Sequence, residues 1–202
     1  MRVLGVDPGL GRCGWAVLEG RGGRVAPVAY GTVHTEGEQV APRLATLAAQ
    51  LRQVLAAHRP EALAVERLFF NANVRTAMTV GQASGVVLLL AAEHGLEVSA
   101  YTPPQVKQAV TGSGSAPKEQ VGYMVKALLG LAAVPTPADT ADALAVALCH
   151  LNHAGVTGPG AGVRTGAGAG GGLGAASAAD WLARAAPTSP GLRGGPARGA
   201  GR

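Results

Sequence analysis

The amino-acid sequence predicts an α/β fold in which a mixed sheet of five strands is flanked by helices. Three observations support this prediction. Strand-like segments separated by short turns open the chain, two shorter apolar runs follow later, and segments with helical periodicity surround those runs. Strands joined by tight turns pair antiparallel and strands joined through a helix pair parallel, so the sheet is expected to contain both kinds of pair.

Each predicted strand is an apolar run that ends at turn residues. The glycine-rich segment 20–23 joins the second strand to the third, which favours an antiparallel meander of the first three strands. Because crossovers between parallel strands are right-handed, the fourth strand is expected beside the first and parallel to it. The five strands are predicted at residues 2–7, 13–19, 24–33, 62–66 and 97–101.

The predicted helices differ in how much of their surface is apolar. In the first, apolar residues between positions 44 and 55 recur along one face at helical spacing. The second, at 74–94, is apolar nearly all round at 86–92, which predicts cover by the sheet on one side and by a second subunit on another. Three more helices are predicted: a short one that carries Lys107, one at 117–129 and one at 139–153.

The composition changes near residue 155. The segment 155–202 is mostly Gly, Ala, Pro and Arg, and it holds about half of the chain's 31 glycines and almost no large apolar residues. Such a segment buries too little apolar surface to offset its loss of conformational entropy, so we expect a folded domain at 1–154 and a disordered tail. The tail carries +4 of the net charge of +5, so the basic balance does not by itself predict a nucleic-acid surface.

Cellular location is indicated by three features. Cys13 and Cys149 lie in apolar stretches, which favours buried free thiols in a reducing compartment over a disulfide. Asp7 interrupts the N-terminal apolar run, so no signal peptide is predicted. No apolar run in the sequence is longer than the one at 86–92, which is too short to span a bilayer. We therefore expect a cytoplasmic protein that does not enter a membrane.

Four carboxylates lie where this fold would bring them together. Asp7 ends the first strand and Glu66 the fourth, so both would share the carboxyl edge of the sheet, where ligands usually bind in open α/β folds. Asp139 and Asp142 lie three residues apart near the start of the last helix and would point the same way. Clustered carboxylates resist ionising together unless cations neutralise them, and Mg²⁺ prefers oxygen ligands. The sequence therefore predicts a site with two Mg²⁺ ions that hydrolyses phosphodiesters, in which Asp7 bridges both ions, Glu66 holds one, and Asp139 with Asp142 holds the other.

Each acid also has a purely structural interpretation. Asp7 would only end its strand in a turn formed with Pro8 and Gly9. Asp139 would be the N-cap of the last helix, with Asp142 in a carboxylate version of the capping box. Glu66 would be an ordinary charge at the rim of the sheet.

Five short sequence blocks occur in order along the chain. They are Val-Asp-Pro-Gly at 6–9, Val-Glu-Arg-Leu-Phe at 65–69, Gly-Gln-Ala-Ser-Gly at 81–85, Gln-Val-Lys-Gln at 105–108 and Asp-Thr-Ala-Asp-Ala-Leu-Ala at 139–145. Together they resemble the RuvC family of Holliday-junction resolvases over residues 2–153. The resemblance implies the ribonuclease H-like fold. It also implies that the metal-binding and catalytic acids are Asp7, Glu66, Asp139 and Asp142.

The same resemblance implies residues that contact DNA. Phe69 matches an aromatic residue that inserts at the junction centre, where stacking is worth ~1–3 kcal/mol per base; otherwise it would belong to the core. Lys107 and Lys118 match basic residues that approach the scissile strand. Lys118 would lie in the first turn of a helix, where a positive charge opposes the helix dipole and a docked phosphate would account for it. Apart from the resemblance, Arg12, Arg67 and Arg75 are candidate contacts to the DNA backbone. For each of these arginines, and for Lys107, the alternative is a solvated charge on the protein surface.

Membership of this family would make the chain a Mg²⁺-dependent endonuclease that cuts four-way DNA junctions by paired symmetric nicks, leaving 5′-phosphate and 3′-hydroxyl ends. Mn²⁺ is expected to substitute for Mg²⁺. A four-way junction is nearly two-fold symmetric, so two active sites that face alike require a homodimer. The resemblance further implies work with the RuvA and RuvB branch-migration proteins. Two alternatives stay open: a related nuclease that acts on RNA, and an ATPase of the actin and sugar-kinase class, whose phosphate loop also begins Asp-x-Gly after a strand.

Overall fold

Five strands in the described part of the chain form one mixed sheet: β1 (Arg2–Asp7), β2 (Arg12–Arg21), β3 (Arg24–His34), β4 (Ala62–Glu66) and β5 (Glu97–Tyr101). The computed structural model describes residues 1–67 and 74–156, of which 74 and 75 are described by their backbone alone. The strands are ordered β3-β2-β1-β4-β5. The β1–β2 and β2–β3 pairs are antiparallel, and the β1–β4 and β4–β5 pairs are parallel. The predicted mixed sheet, with the fourth strand beside the first, is therefore confirmed.

The described residues also form five helices: α1 (Val40–His58), α2 (Val74–Glu93), α3 (Pro103–Thr111), α4 (Lys118–Leu129) and α5 (Ala138–His153). All five predicted helices are confirmed in their order and approximate limits. α1 begins at Val40, before the apolar pattern that predicted it. This early start is possible because Pro42 lies in the first turn of α1, where a missing backbone N–H costs no helical hydrogen bond.

The sheet separates two apolar cores. On one face, alternate residues of β1 such as Leu4 and Val6 pack with α1 and α2. On the other face, Val3 packs with α3, α4 and α5. Neighbouring residues of a strand point to opposite faces, so one short strand serves both cores.

The two cysteines lie in different cores. Cys13 packs on the face of α1 and α2, and Cys149 packs on the face of α5. Both are free and buried, as the sequence predicted. Burial raises the pKa of each thiol to about 12, so neither is a reactive thiolate at neutral pH.

α5 lies directly on the backbone of the central strands, because glycine leaves no side chain between them. A Cβ on Gly5 would overlap the carbonyl oxygen of Ala143, and one on Gly20 would overlap Val156. Val156 packs against this face two residues beyond the predicted domain limit. The rest of the predicted tail, from residue 157 onwards, lies outside the described residues.

α2 carries exposed apolar surface. Within the part of the chain that the structure describes, the window Thr76–Glu93 is long and apolar enough to cross a bilayer, with a mean hydropathy of 1.3, yet only 28% of it is buried. Met78 and Leu89 are 61% and 56% exposed. Length and composition alone are weak indications of a membrane span, since helices covered by protein have the same character. The exposed surface agrees with cover by a second subunit, which stays a prediction.

Candidate active site

The two acids on strands lie side by side at the carboxyl edge of the sheet. Asp7 is the last residue of β1 and Glu66 the last residue of β4. These strands are parallel neighbours in which Val6 pairs with Val65, so the two acids occupy the next positions along adjacent strands. Val6 and Val65 pack in the core on the face of α1 and α2. Alternation along the strands therefore directs both acids to the face that α5 covers.

The two acids on α5 stand above the same edge. Asp139 lies in the first turn of α5, and Asp142 follows one turn later. Gly14 pairs with Asp7 across β2 and β1, and a Cβ on Gly14 would overlap the backbone of Asp139. The start of α5 therefore lies close to Asp7. The structure brings together three elements that carry acids, whereas the role of those acids in binding metal stays a prediction.

The capping interpretation of Asp139 is wrong. α5 begins at Ala138, and its N-cap residue is Pro137, whose side chain makes no capping hydrogen bond. Proline suits the start of a helix because its missing N–H would have no helical partner there. The chain thus enters the helix before Asp139, whose carboxylate is free of a capping role but still lies where the helix dipole favours negative charge.

The carboxylates share one electrostatic environment. Burial, followed by the charges of Asp142, Glu66 and Asp139, raises the pKa of Asp7 from 3.8 to about 7. Burial, followed by the charge of Asp142, also raises the pKa of Glu66. The charge of Lys118 lowers the pKa of both acids but does not outweigh these effects. Additional positive charge at this position would relieve the repulsion.

Basic side chains surround the acids. Lys118 Nζ lies 2.7 Å from Asp142 Oδ2, and the hydrogen bond to Asp142 is the main reason that the pKa of Lys118 is raised. Arg12 Nε lies 3.3 Å from Asp139 Oδ2. On α3, the charge of Lys107 lowers the pKa of Glu66. The predicted DNA contacts Lys107 and Lys118 thus both lie at the acid cluster.

The donor set has the chemistry of a site for a hard divalent cation. Its carboxyl oxygens are the ligands that Mg²⁺ prefers, and the raised pKa of the half-buried Asp7 indicates that negative charge there lacks sufficient compensation. Within residues 1–67 and 74–156, however, no three His, Cys, Asp or Glu side chains are arranged to hold one ion. Asp139 and Asp142 have Arg12 and Lys118 as partners instead. To bind a shared ion, Asp139 and Asp142 would have to release Arg12 and Lys118.

Of the other predicted DNA contacts, Arg67 is fully described, Arg75 is described in part, and Phe69 is not described. Phe69 lies outside the described residues, and Arg75 is described only by its backbone, in the first turn of α2. Arg67 directly follows Glu66, and its backbone N–H donates to the carbonyl oxygen of Tyr101 at 2.6 Å. That hydrogen bond continues the pairing of β4 with β5 just past the acid.

Sequence reasoning missed the contacts that hold the start of α5. Thr32 Oγ1 lies 2.8 Å from Thr140 Oγ1, a hydrogen bond that joins β3 to α5. The close approach of α5 to the sheet did have a sequence signal, because Gly5 and Gly14 interrupt two predicted strands. A glycine within a strand often marks a place where another backbone comes close.

The strand order, the crossovers and the acids at the carboxyl edge define a protein of the ribonuclease H-like fold. A family model described as "Crossover junction endodeoxyribonuclease RuvC" matches residues 3–150. The chain therefore belongs to the RuvC family.

Individual relatives agree with this assignment. Proteins named "Crossover junction endodeoxyribonuclease RuvC" from Moorella thermoacetica and Frankia alni are 52% and 57% identical over 155 and 153 residues. The first match covers 76% of this chain and 93% of the relative, and the second covers 75% and 78%. The structure of Thermus thermophilus RuvC in complex with Holliday junction substrate has a TM-score of 0.73 at 42% identity, over 76% of this chain and 94% of that chain. The yeast mitochondrial Holliday junction resolvase, at 15% identity and a TM-score of 0.56 over 77% of this chain and 81% of that chain, shares the fold.

Proposed function

We propose that this protein is a Mg²⁺-dependent endonuclease that resolves four-way DNA junctions by paired symmetric nicks. Its membership of the RuvC family supports this activity, and the T. thermophilus relative has been solved in complex with Holliday junction substrate. In this chain the observation that carries the proposal is the convergence of acids from β1, β4 and α5, where Asp7 lies beside Glu66 and close to the start of α5. The pKa of Asp7 agrees with this crowding of negative charge. Burial and three neighbouring acids raise the pKa of that carboxyl group to about 7 at the carboxyl edge of the sheet.

The four acids are proposed to hold two Mg²⁺ ions, for which Mn²⁺ substitutes. Bound ions of this kind activate a water, neutralise the phosphate and stabilise the departing 3′ oxygen. Asp7 is suited to be the shared ligand, because Glu66 lies beside it on the next strand and Asp139 and Asp142 influence it from α5. The cut ends are proposed to be 5′-phosphate and 3′-hydroxyl.

Lys118 and Lys107 are proposed to contact the phosphate of the scissile strand. Lys118 is the first residue of α4, where free backbone N–H groups and the helix dipole also favour an anion. Its present partner is the carboxylate of Asp142, and a phosphate oxygen accepts the same charge-assisted hydrogen bond. Lys118 is thus able to exchange one oxyanion for another.

A two-fold homodimer is proposed to form through α2. Met78, Gly85 and Leu89 follow a spacing that places them on one face of the helix, and all three are exposed. Among the described residues, no atom lies within 4 Å of a Cβ built on Gly85, so a partner helix has room to approach its backbone. Such a dimer would present two active sites to the two equivalent strands of a junction.

The remaining proposals rest on the sequence and on membership of the family. Phe69 is proposed to insert at the junction centre, and Arg67 and Arg75, which flank the segment that contains it, to bind the DNA backbone. RuvA and RuvB are the proposed protein partners, and the cytoplasm is the proposed location. Membership of the RuvC family favours neither an RNA-directed nuclease nor an ATPase.

The decisive test is incubation of the full chain with a synthetic mobile four-way junction, with and without Mg²⁺ or Mn²⁺. We expect paired nicks at symmetric positions, and DNA ligase should reseal them because the ends are 5′-phosphate and 3′-hydroxyl. Asp7→Asn and Glu66→Gln should bind the junction without cutting it. An RNA–DNA hybrid and a single-stranded RNA are the comparison substrates. Preferential cutting of either RNA substrate, or a wild type without metal-dependent nicks, would contradict the proposal.

A further inference from the structure

Three residues of the sheet form one row beneath the start of α5. Asp7 pairs with Gly14, and Gly14 pairs with Thr32, across β1, β2 and β3. Register partners direct their side chains to the same face of a sheet. In this row Asp7 faces the acids of α5, Gly14 leaves space for the backbone of Asp139, and Thr32 Oγ1 lies 2.8 Å from Thr140 Oγ1. All three residues of the row therefore lie opposite the first turn of α5.

The Thr32–Thr140 hydrogen bond is a part-buried contact that holds that turn. Thr140 is only 2% exposed and lies between Asp139 and Asp142 in the sequence. The N-cap residue of α5, Pro137, makes no side-chain capping hydrogen bond, so the usual contact that fixes the start of a helix is not made by this residue. A hydroxyl buried to this extent is costly to leave without a partner, which keeps the pair closed. A closed pair restricts rotation of the helix about its axis, and that rotation sets the direction of both acids.

The ion pairs on the same acids are less able to fix the helix. The side chain of Arg12, on Asp139, is 61% exposed, and that of Lys118, on Asp142, is 64% exposed. Long exposed side chains follow their partner when it moves, and such pairs contribute little rigidity. Both ion pairs must also break before the acids can bind a common cation. The threonine pair and the glycine contact are independent of those ion pairs.

We infer that Thr32, Thr140 and Gly14 are positioning residues for the acids of α5. The hydroxyl pair sets the direction of Asp139 and Asp142, and Gly14 sets the distance of the helix from the sheet, and hence from Asp7. This inference rests on the proposed function of the acids. Metal affinity depends on ligand geometry, and groups that orient ligands commonly change it about 10–100-fold.

The test measures binding of Mn²⁺ to the metal-free full chain by electron paramagnetic resonance, beside a Mg²⁺ titration of junction cleavage. Thr140→Val and Thr32→Val should each weaken Mn²⁺ binding about ten-fold or more. The double variant should be no weaker than either single variant, because both remove the same hydrogen bond. Thr140→Ser keeps the hydroxyl and should bind as the wild type does. Thr46→Val is the matched control, since it removes a hydroxyl that bonds only within α1.

Junction binding in EDTA and thermal melting separate positioning from a general structural role. The inference predicts normal junction binding, measured well below the melting temperature, in the variants that lose Mn²⁺ affinity. Each single valine variant should melt somewhat below the wild type, because it leaves one hydroxyl of the pair without its partner. If Thr140→Val fails to fold, Thr32→Val on the edge strand supplies the same comparison. Wild-type Mn²⁺ affinity in the valine variants overturns the inference, whatever their melting temperature. A wild type that neither binds Mn²⁺ nor nicks a junction contradicts the proposed function instead, so the two failures are distinguishable.

Discussion

Lys118 Nζ lies 2.7 Å from Asp142 Oδ2, an ion pair that joins the first residue of α4 to the acids of α5. The Lys118 side chain is 64% exposed, and so open a pair contributes at most about 1 kcal/mol to folding. A positive charge at the start of a helix is also unfavourable for the helix itself. The charge of Lys118 is therefore explained better by the acid cluster and its substrate than by stability.

Lys118→Ala is expected to slow junction cleavage about 10²–10³-fold, the usual loss when one preorganised donor to a developing charge is removed. Its melting temperature should stay close to that of the wild type, because the lost ion pair is exposed. Single-turnover cleavage at saturating Mg²⁺ measures the effect. Lys126→Ala, in the last turn of the same helix, is the matched control and should cut normally. Near-normal cleavage by Lys118→Ala would remove Lys118 from the proposed site.

Asp7→Asn is expected to abolish cleavage and to stabilise the metal-free protein at pH 8. The pKa of Asp7 is about 7 in the fold against 3.8 for the free side chain, so the folded state holds the proton more tightly. Metal-free stability is therefore lost as the pH rises from 3.8 to about 7. Because asparagine does not ionise, the variant avoids this decrease in the free energy of unfolding, which is on the order of a few kcal/mol.

Thermal melts in EDTA check this prediction. The Asp7→Asn variant should melt above the wild type at about pH 8, and the two curves should converge as the pH falls towards the pKa of the free carboxyl group. A wild type that is as stable as the variant at high pH would show that Asp7 ionises without cost and that the acids do not repel one another as the structure indicates.

Affinity for Mn²⁺ is expected to rise with pH up to about 7 and to level off above it. Below its raised pKa, Asp7 carries a proton that a bound cation must displace. If this is the one proton released, the dissociation constant should increase about ten-fold for each pH unit below that pKa. Calorimetric titrations in buffers of different ionisation enthalpy would count the protons. An affinity that does not depend on pH would argue against Asp7 as a metal ligand.

The sequence was sufficient to predict how Asp7 and Glu66 meet. Both end apolar strands, and the handedness of the crossover makes those strands parallel neighbours. Local patterns also predicted all five strands and the helices between them. These features depend on residues close together in the chain, or on a topological rule that holds in almost every fold.

The contacts at the start of α5 could not be predicted from local patterns or from the handedness of crossovers. The capping interpretation of Asp139 was wrong because the N-cap of the helix is Pro137, two residues before Asp139. The Thr32–Thr140 hydrogen bond joins residues 108 positions apart and depends on where the helix crosses the sheet. No local pattern encodes that crossing, although the glycines beneath the helix indicate a close approach. Phe69, predicted from the resemblance, stays a prediction.

Leu89→Glu is expected to convert the proposed dimer into monomers. Leu89 is 56% exposed, so a charge there costs the isolated subunit little, but a buried unpaired carboxylate in a helix interface is costly. Sedimentation velocity should show a monomer for this variant. Tyr123→Glu, which replaces a 63% exposed aromatic residue on α4, should remain dimeric and serves as the matched control.

The same variant separates nicking from resolution. On a plasmid that extrudes a cruciform, one nick gives a relaxed circle, whereas two nicks within the lifetime of one complex give a linear molecule. The dimer should yield mainly linear DNA. A monomeric Leu89→Glu retains Asp7, Glu66 and both acids of α5, so any residual activity should relax the plasmid without linearising it. If Leu89→Glu remains dimeric and still yields linear product, α2 is not the interface, and the symmetric arrangement of the two active sites must come from another surface.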